Sequence, residues 1–172
     1  CYLGHFNLKA MSSGYIRVVN EVPLAHYLYG VVGYEMSNTF PIEALKSQAI
    51  AAKCYVLSNI TMSGDYYIGD TSSDQVYKGY DSSYTNVINA VDSTLDQVLA
   101  VNGTLLCTYY AASNGGETLL PSQAWPTKKV NDNGYGISLD PYDLANAYSK
   151  KETISIPINM PGSITPALMT ML

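Results

Sequence analysis

The sequence predicts an α+β fold, helices packed with β-hairpins around a substrate groove, in a single domain taken as residues 1–172. Three observations carry this. Apolar residues recur at helical spacing between Leu24 and Val56. An Asn102-Gly103 pair sits between two apolar runs, the strongest short-range hairpin signal. Strands and helices do not alternate regularly, as a doubly wound sheet would require. A chain of 172 residues is long enough to bury one core without staples, and nothing forces a split.

The elements follow in order. Tyr15 to Val19 is a β-branched run after the turn signal Ser13-Gly14 and reads as a strand ending at Asn20. Pro23 suits the first position of a helix, and Leu24, Leu28, Val31 and Val32 follow near helical spacing until Gly33 interrupts them, which puts Glu35 just past a short helix. A second helix is expected from near Thr39 to Pro41, with Ile42, Leu45, Ala49, Ala52 and Val56 on one stripe, up to Ser63-Gly64. Tyr66 to Tyr80, rich in Tyr, Asp and Gly, reads as extended or looped. Val87, Val91 and Leu95 suggest a third helix. Val98 to Val101 and Thr104 to Tyr110 flank Asn102-Gly103 as a hairpin, and Ser113 to Thr118 reads as a flexible polar loop. Farther on, Asp140-Pro141 is a turn signal and Thr153 to Ile158 is strand-like.

Composition narrows the function. Only 13% of residues are charged, and 16 tyrosines stand against 2 phenylalanines, so the surface consists largely of neutral hydrogen-bonding groups. Such surfaces suit sugars, and an ordinary extracellular surface has the same composition. A net charge of -5 without a basic cluster argues against nucleic acid as a partner. Cys1, Cys54 and Cys107 are too few for a disulfide framework or a paired zinc motif, and a Cys54 to Cys107 bridge is left open. His5 and His26 have no metal-ligand spacing, so metal binding is not expected. No apolar run has the length of a membrane span. Because Cys1 begins directly in strand-like sequence, the chain reads as a fragment whose leader or anchor was removed.

Glu35 is the best candidate for chemistry. A carboxylic acid held partly desolvated stays protonated at higher pH than a free one, and Tyr34, Met36 and Phe40 could supply an apolar wall. The plainer alternative is that Glu35 caps the helix that begins a few residues later, where the macrodipole favours a negative charge. Gln75 and Tyr77 offer an amide, a phenol and a ring face that can read sugar hydroxyls and stack on a pyranose. A buried, hydrogen-bonded Gln packed by Tyr77 explains them equally well. Ser113, Asn114, Gly115 and Gly116 could approach a ligand closely or form a plain turn. Trp125 is either a sugar platform or a core anchor, and Asp140 and Asp143 read more readily as turn residues than as catalytic acids.

These residues stand in a recognisable order. Val22-Pro23-Leu24, Tyr27-Leu28-Tyr29-Gly30-Val31-Val32 and Glu35-Met36 come first, followed by Phe40-Pro41 and the Ala44 to Tyr55 helix. Asp70 to Tyr80, Tyr110-Ala111-Ala112-Ser113-Asn114-Gly115-Gly116, Trp125 and Asp140 to Asp143 come next. The pattern, over about residues 20–143, resembles the stage II sporulation protein D family. The chain departs from it in having Ala25-His26 where the family has an acidic pair, Ser37 where it has Pro, and Lys53-Cys54 where it has Arg-Thr. Lys keeps the charge of Arg but loses its planar two-bond fork.

The resemblance implies a peptidoglycan lytic transglycosylase with Glu35 as the catalytic acid. Gln75, Tyr77 and the Ser113 to Gly116 segment would bind substrate, together with Gln48, Lys53 and Tyr55 of the helix motif. It further implies glycan strands as the substrate, action outside the cytoplasmic membrane in the cell envelope or forespore intermembrane space, and no cofactor. The alternative attached to the same family is a cell-wall-binding module that enhances a partner amidase and cleaves nothing.

Overall fold

The computed structural model describes residues 1–61 and 64–145. Its elements run in the order β1 (His5–Ala10), β2 (Ile16–Glu21), α1 (Leu24–Glu35), α2 (Ile42–Asn59), α3 (Thr85–Asp92), β3 (Ala100–Val101), β4 (Thr104–Leu105), α4 (Pro121–Ala124) and α5 (Pro141–Leu144). The expected mixture of helices with small antiparallel sheets is what is found. The strand-like stretch Thr153 to Ile158 lies outside the described residues.

Helices α1, α2 and α3 pack against one another and supply the core. Leu28, Val31 and Val32 of α1, Leu45, Ala49, Ala52 and Val56 of α2, and Val87, Ala90 and Val91 of α3 are all buried. Ala49 and Ala52 keep the contact side of α2 narrow and let its neighbours approach. The predicted stripe of α2 holds except at its first member, since Ile42 opens the helix and stays exposed. Prolines 23 and 41 occupy the N-cap positions of α1 and α2, immediately before the first helical residue.

Two boundaries differ from expectation. Helix α1 runs through Gly33 to Glu35 because Gly33 serves packing. A Cβ there would stand 3.2 Å from the Tyr84 ring, so the missing side chain makes room for that ring without breaking the helix. Helix α3 stops at Asp92, and Leu95 lies beyond it. The Thr94 hydroxyl donates back to the Ala90 carbonyl at 2.8 Å, and the Lys53 ammonium takes the Thr94 and Leu95 carbonyls.

The strand read at Tyr15 to Val19 is β2, paired antiparallel with β1 in a register from His5 opposite Glu21 to Ala10 opposite Ile16. Side chains alternate across such a ribbon, so Phe6, Leu8, Ile16 and Val18 share one exposed face. Lys9 and Arg17, on the other face, both bind Asp65 at 2.6 and 2.7 Å and tie the hairpin to the segment after α2. At the second hairpin Asn102 has φ 52° and Gly103 φ 77°, the left-handed pair of a type I′ turn, as the sequence predicts. Its ladder is shorter than the apolar runs suggest: Ala100 pairs with Leu105 and Val101 with Thr104.

Candidate active site

Glu35 is the last residue of α1, and Met36 is its extended C-cap, donating its backbone N–H to the Val32 carbonyl. Helix α2 does not begin until Ile42, with Pro41 as its N-cap, so Glu35 does not cap it. The carboxyl is instead at the negative end of a helix dipole, where a negative charge is disfavoured. Desolvation by the surrounding protein raises its pKa above the ordinary carboxylate value, and no hydrogen bond or ion pair among the described residues offsets this. The side chain is nevertheless exposed. An accessible, unpartnered carboxyl biased toward its protonated form is thus fixed on a rigid element.

The neighbouring phenol is Tyr110. Burial lifts its pKa to about 12, against the opposing effect of the Gln75 hydrogen bond, and the Glu35 charge adds to the rise. Gln75 anchors this ring from below. Its Oε1 accepts from the Tyr27 hydroxyl at 3.1 Å, while its Nε2 donates to the Ala52 carbonyl at 3.1 Å and to the Tyr110 oxygen at 2.9 Å. Both amide protons are therefore used, and the side chain is 2% exposed. Gln75 lies beneath the surface with its donors satisfied, which is the buried arrangement that the sequence left open.

Tyr77 is also interior. Its ring stacks on Tyr27 at 5.3 Å between centroids, and its hydroxyl donates to Asn20 Oδ1 at 3.0 Å. Gly30 of α1 makes this possible, because a Cβ at that position would lie 2.5 Å from the Tyr77 ring. Lys53 is buried too, its Nζ donating to Thr94 and to Leu95, the latter at 3.0 Å. Desolvation depresses its pKa, with Cys54 and Asp96 opposing. It closes the end of α3 and makes no carboxylate pair among the described residues.

Gln48 differs from these. Its Nε2 is buried without a hydrogen-bond partner among the described residues, a condition shared only with His26 Nδ1. An orphaned buried donor costs about 1–3 kcal/mol, so a ligand acceptor at that atom would relieve a standing penalty. Tyr55, two turns farther along α2, sets its ring edge against Tyr110 at 6.4 Å.

The segment Ser113 to Gly116, expected to be flexible, is tied down. Asp143 Oδ2 accepts from Ser113 Oγ at 2.8 Å and from the backbone N–H groups of Asn114 and Gly115 at 3.0 and 2.8 Å. Asp140 takes the Asn114 amide at 3.1 Å and caps α5 through the N–H groups of Tyr142 and Asp143. The Asp140-Pro141-Tyr142-Asp143 sequence is therefore a clamp on the loop. Gly116 has φ 96°, and a Cβ on it would meet the Leu144 side chain at 2.5 Å.

An open cleft of about 450 Å³ flanks the C-terminal half of α1, lined by Tyr29, Tyr34, Tyr80 and Tyr84 among others; Glu35, Gln75 and the Ser113 to Gly116 loop are not among its walls. Cys54 and Cys107 are both free thiols. Cys54 accepts from the Leu99 N–H at 3.2 Å and Cys107 from the Asn59 amide at 3.2 Å. Among the described residues no group of three or more His, Cys, Asp or Glu could hold a metal ion, and no helix is long and apolar enough to cross a membrane.

The family model described as Stage II sporulation protein matches residues 12–100, which contain α1, α2, α3 and the whole Gln75 network except Tyr110. The chain belongs to the stage II sporulation protein D family. Over 115 residues it is 31% identical to the stage II sporulation protein D of Bacillus subtilis, covering 56% of this chain and 34% of that one. It is 42% identical over 98 residues to the amidase enhancer of the same organism, covering 57% of this chain and 13% of the relative. It is 36% identical over 104 residues to an uncharacterized protein of Brachyspira hyodysenteriae, covering 59% and 28%. The chain thus spans about a third or less of the length of these relatives. Within this member of the family, Tyr110 and Tyr27 are the residues that residue-by-residue reasoning passed over. Tyr110 was visible at the head of the Ser-Asn-Gly-Gly motif, but its partner Gln75 is 35 residues away in sequence.

Proposed function

We propose that this chain carries the catalytic site of a peptidoglycan lytic transglycosylase that cleaves the β-1,4 bond between N-acetylmuramic acid and N-acetylglucosamine. The observation that carries the reading is the state of Glu35: exposed, without a partner among the described residues, at a helix C-terminus, with its pKa raised by desolvation. A structural carboxylate would be found under the opposite conditions, paired or at a helix N-terminus.

In the proposed reaction Glu35 gives its proton to the glycosidic oxygen as the bond from muramic acid C1 to that oxygen breaks. The resulting carboxylate then takes the proton of the muramic acid C6 hydroxyl while O6 closes on C1. The product is a 1,6-anhydro sugar, and Glu35 ends protonated as it began. One carboxyl serves both steps by the reversal of roles that retaining glycosidases use, so neither a second carboxylate nor water is consumed. Gln48 and Tyr55 are assigned to substrate contact, as are Ser113, Asn114, Gly115 and Gly116 on their clamped loop. Gln75, Tyr77 and Lys53 act from beneath by holding Tyr110, α1 and α3 in place. The setting is extracytoplasmic, in sporulation or cell-wall remodelling, on strands freed of stem peptides.

A second reading is favoured by the 42% identity to a protein named amidase enhancer: a wall-binding module that stimulates a partner amidase. Incubation of the chain with denuded glycan strands, followed by mass analysis, decides between them. Anhydro-terminated fragments support the transglycosylase. Intact strands, with stimulation of an added amidase, support the binding module, and hydrolysed reducing ends contradict both.

A further inference from the structure

Beyond the acid, the rings of Tyr110, Tyr55, Tyr109 and Trp125 follow one another without a break. Tyr55 meets Tyr110 at 6.4 Å and Tyr109 at 6.1 Å between centroids, both edge to face with interplanar angles of 65° and 76°, and Tyr109 meets Trp125 at 4.4 Å, tilted by 48°. The inner end of the row is fixed at the candidate site, since Tyr110 is bound to Gln75 and feels the Glu35 charge. We propose that Tyr55, Tyr109 and Trp125 form a stacking platform that holds further sugar rings of the glycan strand, leading away from the bond at Glu35. The proposal rests on the reading of this chain as a glycan-strand protein and extends it to strand-length preference.

Tyr110 packs against the helical core, and Tyr55, Tyr109 and Trp125 carry the row on from it. Beyond Thr94 the buried described residues are Gly116, Pro121 and Asp143, so the outer part of the row lies outside the main helical core. Tyr109, at the centre of the row, is 43% exposed. The rings are nonetheless held in place. Trp125 caps α4 through its backbone N–H to the Pro121 carbonyl, its own carbonyl accepts from the Lys128 N–H at 3.0 Å, and Tyr135 stacks on the side of Tyr109 at 6.3 Å with its hydroxyl bonded to the Cys107 carbonyl. Rigid aromatic faces order little on binding, which keeps the entropic cost of association low.

The ligand class follows from the chemistry of the row. Flat rings with hydroxyls at their edges suit pyranoses, which present C–H faces to the ring and hydroxyls to the rim. Single-stranded nucleic acid also stacks on aromatic rows, but it requires a positive groove, and this chain carries a net charge of -5. A peptide adding as a strand would need a longer sheet edge here than β3 and β4, which are two residues each.

Trp125 is the sole tryptophan, so its fluorescence reports on the outer end of the row alone. In a Glu35→Gln background, which keeps strands intact, denuded glycan fragments from disaccharide to octasaccharide are titrated against Trp125 emission. The platform predicts that affinity rises with fragment length and that long fragments shift the emission. It predicts that Tyr109→Ala flattens the length dependence and weakens long-strand binding by roughly tenfold. Trp125→Leu keeps apolar bulk but removes the flat face, so long-strand binding followed by calorimetry should fall similarly. Equal affinity for short and long fragments in the parent, or a length dependence retained by both variants with native circular dichroism, overturns the platform. The catalytic reading fails separately: wild-type protein that releases no anhydro product while length-dependent binding and the emission shift persist leaves the platform standing on a binding module.

Discussion

Replacing Gln75 with Ala separates a buried positioning role from direct sugar contact. The native amide makes three hydrogen bonds, to Tyr27, Ala52 and Tyr110, inside a site that is 2% exposed. Each such bond contributes about 0.5–1.5 kcal/mol net, and the three stranded partners and the vacated volume add to the loss. A destabilisation of roughly 3–5 kcal/mol follows, with the Tyr27 and Tyr110 hydroxyls left without their partner. In a chain of this size that corresponds to a fall in Tm on the order of 6–20 °C. Urea titration followed by circular dichroism measures it, with glycan affinity measured in parallel below the unfolding midpoint. A loss under about 1 kcal/mol, accompanied by a clear loss of glycan affinity, would refute the reasoning, because it would mean that the amide faces the ligand and is dispensable to the fold.

Three further outcomes follow from the same structure. Gly30→Ala places a methyl 2.5 Å from the Tyr77 ring and 2.7 Å from the Gly79 carbonyl, so overpacking should cost about 1–3 kcal/mol by denaturant titration despite the better helix propensity of Ala. Lys53→Met leaves the Thr94 and Leu95 carbonyls without their donor and should destabilise by about 1–3 kcal/mol, with hydrogen exchange speeding first at the end of α3. Glu35 has its folded-state pKa raised above the unfolded value, so its ionisation destabilises the fold as pH rises through that window. Glu35→Gln should therefore raise Tm at neutral pH relative to wild type, with the gain vanishing once the pH is below the unfolded carboxyl pKa. An equal gain at both pH values would remove the titration argument.

The sequence read best where one physical rule dominated. The stripe of α2 from Leu45 to Val56 and the Asn102-Gly103 turn appear as predicted, because periodic burial and positive φ leave direct marks on residue choice. It read worst where a residue answers to a distant partner. Gly33 looked like a helix breaker and is instead the space for Tyr84, which no local window contains. Tyr66 to Tyr80 reads as extended or looped, and the choice between a ligand-facing and a buried Gln75 and Tyr77 stays open in the sequence because their partners Tyr27 and Asn20 are 48 and 57 residues away. Glu35 is legible as a candidate, while its capping role is excluded only by the tertiary fact that α1 extends to it and α2 starts at Ile42. The clamp of Asp143 on the Ser113 to Gly116 loop joins residues 28 to 30 apart and left no local pattern beyond two turn-like motifs.

The central claim is that Glu35 is the proton donor and acceptor of a strand-cleaving reaction. Its most direct test compares wild type with Glu35→Gln on denuded glycan strands, following anhydro-muramic ends by mass and strand binding by sedimentation. The amide keeps the size of the side chain but cannot pass a proton, so the account predicts anhydro ends from wild type, a collapse of turnover in the variant, and binding retained by both. Anhydro ends produced by the Glu35→Gln protein at the wild-type rate would contradict it.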